Sequence, residues 1–208
     1  LSGKVQLLIM REDFEDMPAE SGDAISGTMA FTLGYRSPRL YGARLQAQYV
    51  HAHELFERGG FEFPRGQAEL LSNSRFSILN EAFLDFSLEK LGLPKTSLRV
   101  GRQIPHYDFA PPYNVRQKAQ SFESVFLSAR PTDWLSIDLG HVDRFSSWSS
   151  RRDMIEFREI AEVMGVPYET PGMQYLSARS TLIPGAELTL YDWHANDLFS
   201  TFGGKMDL

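Results

Sequence analysis

The chain has 208 residues, 42% of them hydrophobic and 23% charged, with no cysteine and a formal net charge of −6. An acidic balance argues against a nucleic-acid partner, and no apolar run reaches the roughly 18 residues that a membrane-spanning helix requires. Neither point excludes a β-barrel, whose strands turn only every second residue to lipid and so average to a mean hydropathy below zero.

A first strand is expected over residues 3–12, entered directly from Leu1-Ser2-Gly3-Lys4 with no secretory leader pattern. The chain does not begin with Met, so a processed chain or a piece of a longer one is expected. The next two strands, near 26–36 and 40–52, carry the strongest signal. Met29, Phe31, Leu33 and Tyr35 share one face, and Thr28, Ala30, Thr32 and Gly34 share the other. Then Tyr41, Ala43, Leu45, Ala47 and Tyr49 oppose Gly42, Arg44, Gln46 and Gln48. Alternation alone also fits a half-buried soluble sheet. The aromatic residues at both ends of a short apolar band and the basic opposite face fit a bilayer-spanning strand better, because amphipathic rings settle at headgroup level.

Further strands are expected near 75–88, 97–104, 119–130, 134–143, 173–181 and 186–195, with another starting near 199. Ser37-Pro38-Arg39, Lys90 to Lys95, Pro131-Thr132-Asp133 and Ile183-Pro184-Gly185 read as tight turns. Residues 13–25, 53–74, 105–118 and 144–172 read as long connections. Short turns on one rim and long loops on the other are the asymmetry of an outer-membrane barrel, and about ten strands of roughly 9–11 residues use up the chain as one domain, 1–208. The fold class expected is all-β, an antiparallel transmembrane barrel present in part. Its C-terminal strands are expected to be missing, since no closing aromatic residue follows Lys205-Met206-Asp207-Leu208. Within the last long loop, Met154, Phe157, Ile160 or Ala161, and Met164 recur at helical spacing, which predicts a helix over 153–164 with an Asp153/Glu156 capping box and a stop at Gly165. It would pack on or in the barrel mouth, or lie on the surface without a role.

Three stretches resemble the OprD-type porins of the wider Opr group: "LNEAFLDF" at 79–86 with "SLRVGRQ" at 97–103, "YNVRQKAQSFES" at 113–124, and "GHVDRFSSWSS" at 140–150. The resemblance implies a passive outer-membrane channel of a Gram-negative envelope, surrounded by outer-membrane lipid, needing no cofactor, and leaving a homotrimeric assembly open. It also implies that the loop after "SLRVGRQ", Pro105 to Lys118, folds inward to narrow the pore. Tyr107, Asp108 and Tyr113 would then oppose a ladder of strand arginines drawn from Arg44, Arg99, Arg116 and Arg130, with Arg102 a weaker member. Arg102 points outward by alternation unless a bulge intervenes. Spaced guanidinium groups can pass a small anionic or carboxylate solute between bidentate partners without full desolvation. The plainer alternative is that these arginines only balance Glu81, Asp85, Glu123 and Asp138.

Enzyme chemistry finds little support. Glu81 and Asp85 lie roughly 13 Å apart along a strand at about 3.3 Å per residue, beyond the roughly 5–9.5 Å of a glycosidase pair. Ser124, His141 and Asp143 lack a nucleophile elbow. His51 and His53 share a strand face but have no third metal ligand in view. No enzymatic activity and no metal are expected. Three functions remain: a diffusion channel, a non-conducting scaffold or adhesin barrel, and a soluble β-sandwich that binds carbohydrate.

Overall fold

The computed structural model describes residues 1–12, 24–58, 75–104, 117–147, 156–167 and 169–208. They form one antiparallel sheet. Its strands are β1 (Ser2–Glu12), β2 (Ala24–Arg36), β3 (Ala43–Arg58), β4 (Phe76–Ser87), β5 (Thr96–Gln103), β6 (Ser121–Ala129), β7 (Leu135–Ser146), β8 (Arg158–Glu159), β9 (Met173–Ser180), β10 (Glu187–Ala195) and β11 (Phe199–Asp207). Each strand pairs with the next, except that the two-residue β8 pairs only with β7, which then pairs with β9. Among the described residues β1 and β11 each have one partner strand, so the sheet is not closed.

Turn chemistry sets the strand ends on the short-turn rim. Tyr41 and Gly42 both have positive φ, 53° and 92°, and Leu40 and Ala43 bond each other across them. This is the left-handed pair that a two-residue hairpin requires. It places Tyr41, 97% exposed, on the turn tip. The third strand therefore starts at Ala43 rather than 40, and only Tyr49 of the two expected bracketing rings is on it. At its other end β3 runs on to Arg58, six residues past the expected 52, by pairing with Ile25 to Thr28 of β2.

The register divides the side chains as alternation demands. Leu33 of β2 opposes Tyr49 of β3, and Leu45 opposes Leu84 of β4; all four lie on one face and are 42–54% exposed. Val5, Leu7, Phe31, Val100, Val125, Leu139, Leu176 and Leu190 continue this exposed apolar face from strand to strand. No second sheet covers it among the described residues, whereas a β-sandwich would bury this face against one. No described helix is long and apolar enough to cross a membrane. An exposed band of Leu, Val and Phe along one face is the pattern that a transmembrane barrel requires of its outer surface.

The other face differs from expectation on half of the sheet. On β2–β5 it is polar toward the short turns, with Val50, Ile78 and Phe83 as buried apolar members, but on β6–β10 it carries Phe122, Phe126, Val142, Met173, Tyr175, Trp193 and Ala195 as one buried cluster. Trp193 has no exposure at all. Its ring lies 4.4 Å from Tyr175, and Phe126 lies 6.2 Å from Tyr175, edge-on. Gly140 makes room for this wall. A Cβ at that position would stand 2.0 Å from the Phe126 ring, which is laid across the glycine. The inner face is thus wet and basic on one side and aromatic on the other.

The aromatic side is covered by the connection between β7 and β9. There the helix expected over 153–164 shrinks to one turn, α1 (Ile160–Val163), preceded by extended Arg158–Glu159 bonded to β7. A helix would put Phe157 and Ile160, three residues apart, on one face. Instead Phe157 packs on Val50 and Ile78 of β3–β4 while Ile160 enters the Trp193 cluster. The chain must be extended there to reach both walls. Gly165, with φ 72°, ends the turn as expected, its N–H bonded to the Glu162 carbonyl at 3.0 Å. Glu159, not Asp153, precedes the helix, and no side chain caps it. Asp153 lies outside the described residues.

Candidate functional site

The polar half of the inner face is built by residues on either side of the short turns. Arg44 of β3, Asp85 of β4 and Arg99 of β5 form one register row across adjacent strands, about 4.8 Å apart each. Asp85 is almost fully buried and receives both Arg44 and the turn residue Arg39, the latter at 2.8 Å. Arg36 shares this face, opposite Gln46. The amide of Gln46 reaches the Glu81 carboxylate at 3.4 Å. Four guanidinium groups therefore gather around two carboxylates, an excess of positive charge in a concave, partly enclosed surface. The network is incompletely satisfied: Arg44 Nε and Asp85 Oδ1 are buried without a hydrogen-bond partner.

The sequence-predicted arginines divide into distinct settings. Arg44 is held by Asp85, as simple charge balance would have it. Arg99 has no carboxylate partner among the described residues; its guanidinium lies 5.7 Å from the centre of the Phe83 ring and remains exposed. Arg130 is exposed at the turn rim and bonds Ser136 at 3.3 Å. Arg102 stands in the register position opposite to Arg99's face, next to Gly101 with its φ of 123°. Its side chain bonds Glu123 at 2.7 Å and lies 4.2 Å over the Phe157 ring. It therefore braces the inward segment rather than lining a ladder with Arg44 and Arg99. Arg116, Tyr107, Asp108 and Tyr113 lie outside the described residues. Asp138 is bonded by Ser128 at 2.5 Å, and Arg179 pairs with Glu187 at 3.3 Å farther round the same face.

Two connections enter the concavity from the long-loop rim. The first is the end of the 105–118 loop: Gln117 donates to the Thr28 hydroxyl on the inner face of β2, four strands from β6. Next to it Asn80, the extra residue of a bulge in β4, donates to the Ala119 carbonyl and accepts from Ser121. Lys118 is 3% exposed and bonds only carbonyls, Ala119 at 3.2 Å and Ser146 at 3.4 Å. Burial pushes its pKa down from 10.5 to about 7. The second is the 156–167 segment, bridging from Phe157 to Ile160 as described above. Beside it a cleft of about 480 Å³ opens between Arg144, Arg158, Glu159 and Glu162.

Other candidate groups do not assemble. Ser124 faces inward while His141 faces outward, so no triad forms. Glu81 and Asp85 share the inner face but serve separate partners. His51 and His53 are on the outer face, and no group of His, Asp or Glu among the described residues could hold a metal. What sequence reasoning missed is the aromatic inner wall and the second inward segment. A signal existed: in Ser121-Phe122-Glu123-Ser124-Val125-Phe126-Leu127 both faces carry apolar residues, so two apolar surroundings are needed.

No protein-family model matches the chain, and no curated protein matches it. Solved structures do. A BenF-like porin from Pseudomonas fluorescens Pf-5 superimposes with a TM-score of 0.74 at 14% identity, over 98% of this chain and 52% of that one. Pseudomonas aeruginosa OccK9 (OpdG) gives 0.73 at 15% identity, covering 98% and 52%, and OccK2 (OpdF) gives 0.71 at 15%, covering 98% and 48%. OccK2 has also been solved in complex with glucuronate. At such identities the likeness is one of fold, and the chain spans about half the length of the structures it matches: its fold is that of about half of an OprD/Occ-type porin β-barrel.

Proposed function

We propose that this chain is part of a passive, water-filled channel in a Gram-negative outer membrane that favours small carboxylate-bearing solutes. One observation carries the reading. The sheet is inverted relative to a soluble protein, with large apolar side chains exposed on the outside and arginines and carboxylates gathered on the inside. In lipid every backbone group must be paired, so β1 and β11 require further strands to close the barrel. Gln117 and Lys118, after the 105–116 stretch, and the 156–167 segment narrow the lumen, leaving the passage along β2–β5 where Arg36, Arg39, Arg44 and Arg99 converge. A carboxylate moving down this wall exchanges one bidentate partner for the next. The glucuronate-bearing neighbour is a protein of the same fold that accommodates such a solute, and it supports this class.

The test is the reversal potential of the full-length protein in a planar bilayer under a salt gradient, compared with an Arg44→Gln/Arg99→Gln variant. Anion preference should fall in the variant, and it should fade in concentrated salt, which shortens the screening length from about 8 to about 3 Å at 1 M. An unchanged preference would remove the arginine wall and leave the channel. No conductance at all would favour a scaffold barrel.

A further inference from the structure

Two ionisable side chains stand without partners inside the outer apolar band. Asp192 of β10 points away from the lumen, because its chain neighbour Trp193 is buried in the inner wall and side chains alternate along a strand. Its cross-strand neighbours are Leu176 of β9 and Phe202 of β11, 47% and 74% exposed, and two residues along β10 is Leu190, 42% exposed. His141 of β7 shares this face and is also exposed. The other described histidines, His51, His53 and His194, bond Ser77, Arg75 and Asn196. Neither His141 nor Asp192 has a hydrogen bond or ion pair among the described residues. Strand tilt brings these two to one height. A single register row passes through Ala43, the first residue of β3, Leu98, the third of β5, Leu139, the fifth of β7, and Asp192, the sixth of β10, so rows climb away from the short turns toward β10. His141 is the seventh residue of β7 and so stands level with Asp192 to within one residue, about 3 Å, on strands about 10 Å apart.

We infer that the outer face of β7, β9 and β10 pairs with a second copy of the protein about a two-fold axis parallel to the barrel axis, so that Asp192 of each copy meets His141 of the other. The inference rests on the channel reading, because only in a bilayer does an exposed carboxylate among leucines lack water. Charge complementarity selects the occupant. Acyl chains offer Asp192 no donor, whereas a two-fold operation exchanges the positions on either side of β9 and sets an imidazole N–H before each carboxylate. The point midway between His141 and Asp192 falls on β9 between Gln174 and Leu176, their respective register partners. Leu176 therefore packs beside the axis on its own copy, and the contact stays apolar between the two ion pairs.

The experiment counts copies of the full-length protein in lipid bilayers by single-molecule photobleaching over a range of protein densities. The wild type should dimerise. Asp192→Leu and His141→Leu should each raise the dissociation constant at least about a hundredfold, because either change removes both symmetry-related charge-assisted bonds. Leucine suits a lipid-facing position, so both variants still fold, and the exchange Asp192→His/His141→Asp should restore the dimer. Leu176→Cys, beside the axis, should be joined to its own copy by a short bismaleimide, while Leu84→Cys, on the outer face of β4, should not; the chain has no cysteine of its own to interfere. A monomer at every density, a trimer, a dimer that the leucine variants leave intact, or a dimer bridged through Leu84→Cys and not Leu176→Cys overturns the inference while the channel stands. A protein that does not enter the bilayer at all, seen by the absence of a heat-modifiable folded band, overturns the channel reading and this inference together.

Discussion

Leu33→Arg and Gln46→Arg place the same charge on neighbouring strands but on opposite faces, and the penalties should differ sharply. The outward positions of β2 run from Met29 to Tyr35. At about 3.4 Å per residue and a tilt near 40° they span roughly 15 Å of height, within an apolar band roughly 25 Å tall. The centre of that set falls between Phe31 and Leu33, so Leu33 lies half an outward step, about 3 Å in height, from it. A guanidinium there enters hydrocarbon close to the midplane, which costs about 2–3 kcal/mol after allowance for snorkelling. Gln46 faces inward between Arg36 and Phe83, with its amide 3.4 Å from the Glu81 carboxylate. A new guanidinium there gains Glu81 and repels Arg36 in a hydrated lumen, so the net change is within about 0.5 kcal/mol. The assay is urea titration of the full-length protein folding into lipid vesicles, followed by tryptophan fluorescence. Penalties equal within error at the two positions would refute the assignment of faces and the barrel with it.

Two further outcomes follow from the inward segments. Ile160→Asp puts a carboxylate into the Trp193 cluster, where an unpaired buried charge costs several kcal/mol; the 156–167 bridge should detach, and single-channel conductance of the full-length protein should rise without loss of the barrel. Lys118 lies in a connection, not in a spanning strand, and its docked pKa is lowered to about 7 from 10.5. The docked loop thus holds fewer protons than the released one, and docking strengthens as pH rises from about 7 to about 10, by up to 1.4 kcal/mol per unit, and is flat below 7. Proteolysis of the 105–118 loop should slow across that rise, and Lys118→Met should be slow at every pH; a variant that keeps the wild-type pH profile would show that another group controls docking.

Much of this fold was legible because period-two alternation fixes faces independently of what each face meets. The strands at 75–88, 97–104, 173–181 and 186–195 come within a residue or so of β4, β5, β9 and β10, since proline and glycine turns bound them. Alternation cannot say whether an inward residue meets water or a folded-in loop. Phe126, Tyr175 and Trp193 occupy the same register row as Arg44, Asp85 and Arg99, yet one half of that row is dry and the other charged. Helical spacing misled at 153–164 because Phe157 and Ile160 answer to different walls. At Arg102, alternation gave the register face, but the aromatic ring of a distant loop residue decides where the guanidinium rests.

On the channel reading proposed above, the dry half-wall also determines where solute would travel. Trp193, Tyr175 and Phe126 cannot be left to water without giving up roughly 1.5–3 kcal/mol for each buried side chain, so in the unmutated chain the 156–167 segment is held against them. That segment then occupies the β6–β10 side of the lumen for structural reasons, whatever its effect on flow. The remaining passage is pressed onto the β2–β5 side, whose inner face has no aromatic wall like that of β6–β10 and carries the unneutralised Arg99. On the proposed channel reading, pore narrowing and charge selectivity would have one origin: covering the aromatic wall would both reduce the cross-section and bring every passing solute within a Debye length, about 8–10 Å, of the arginines.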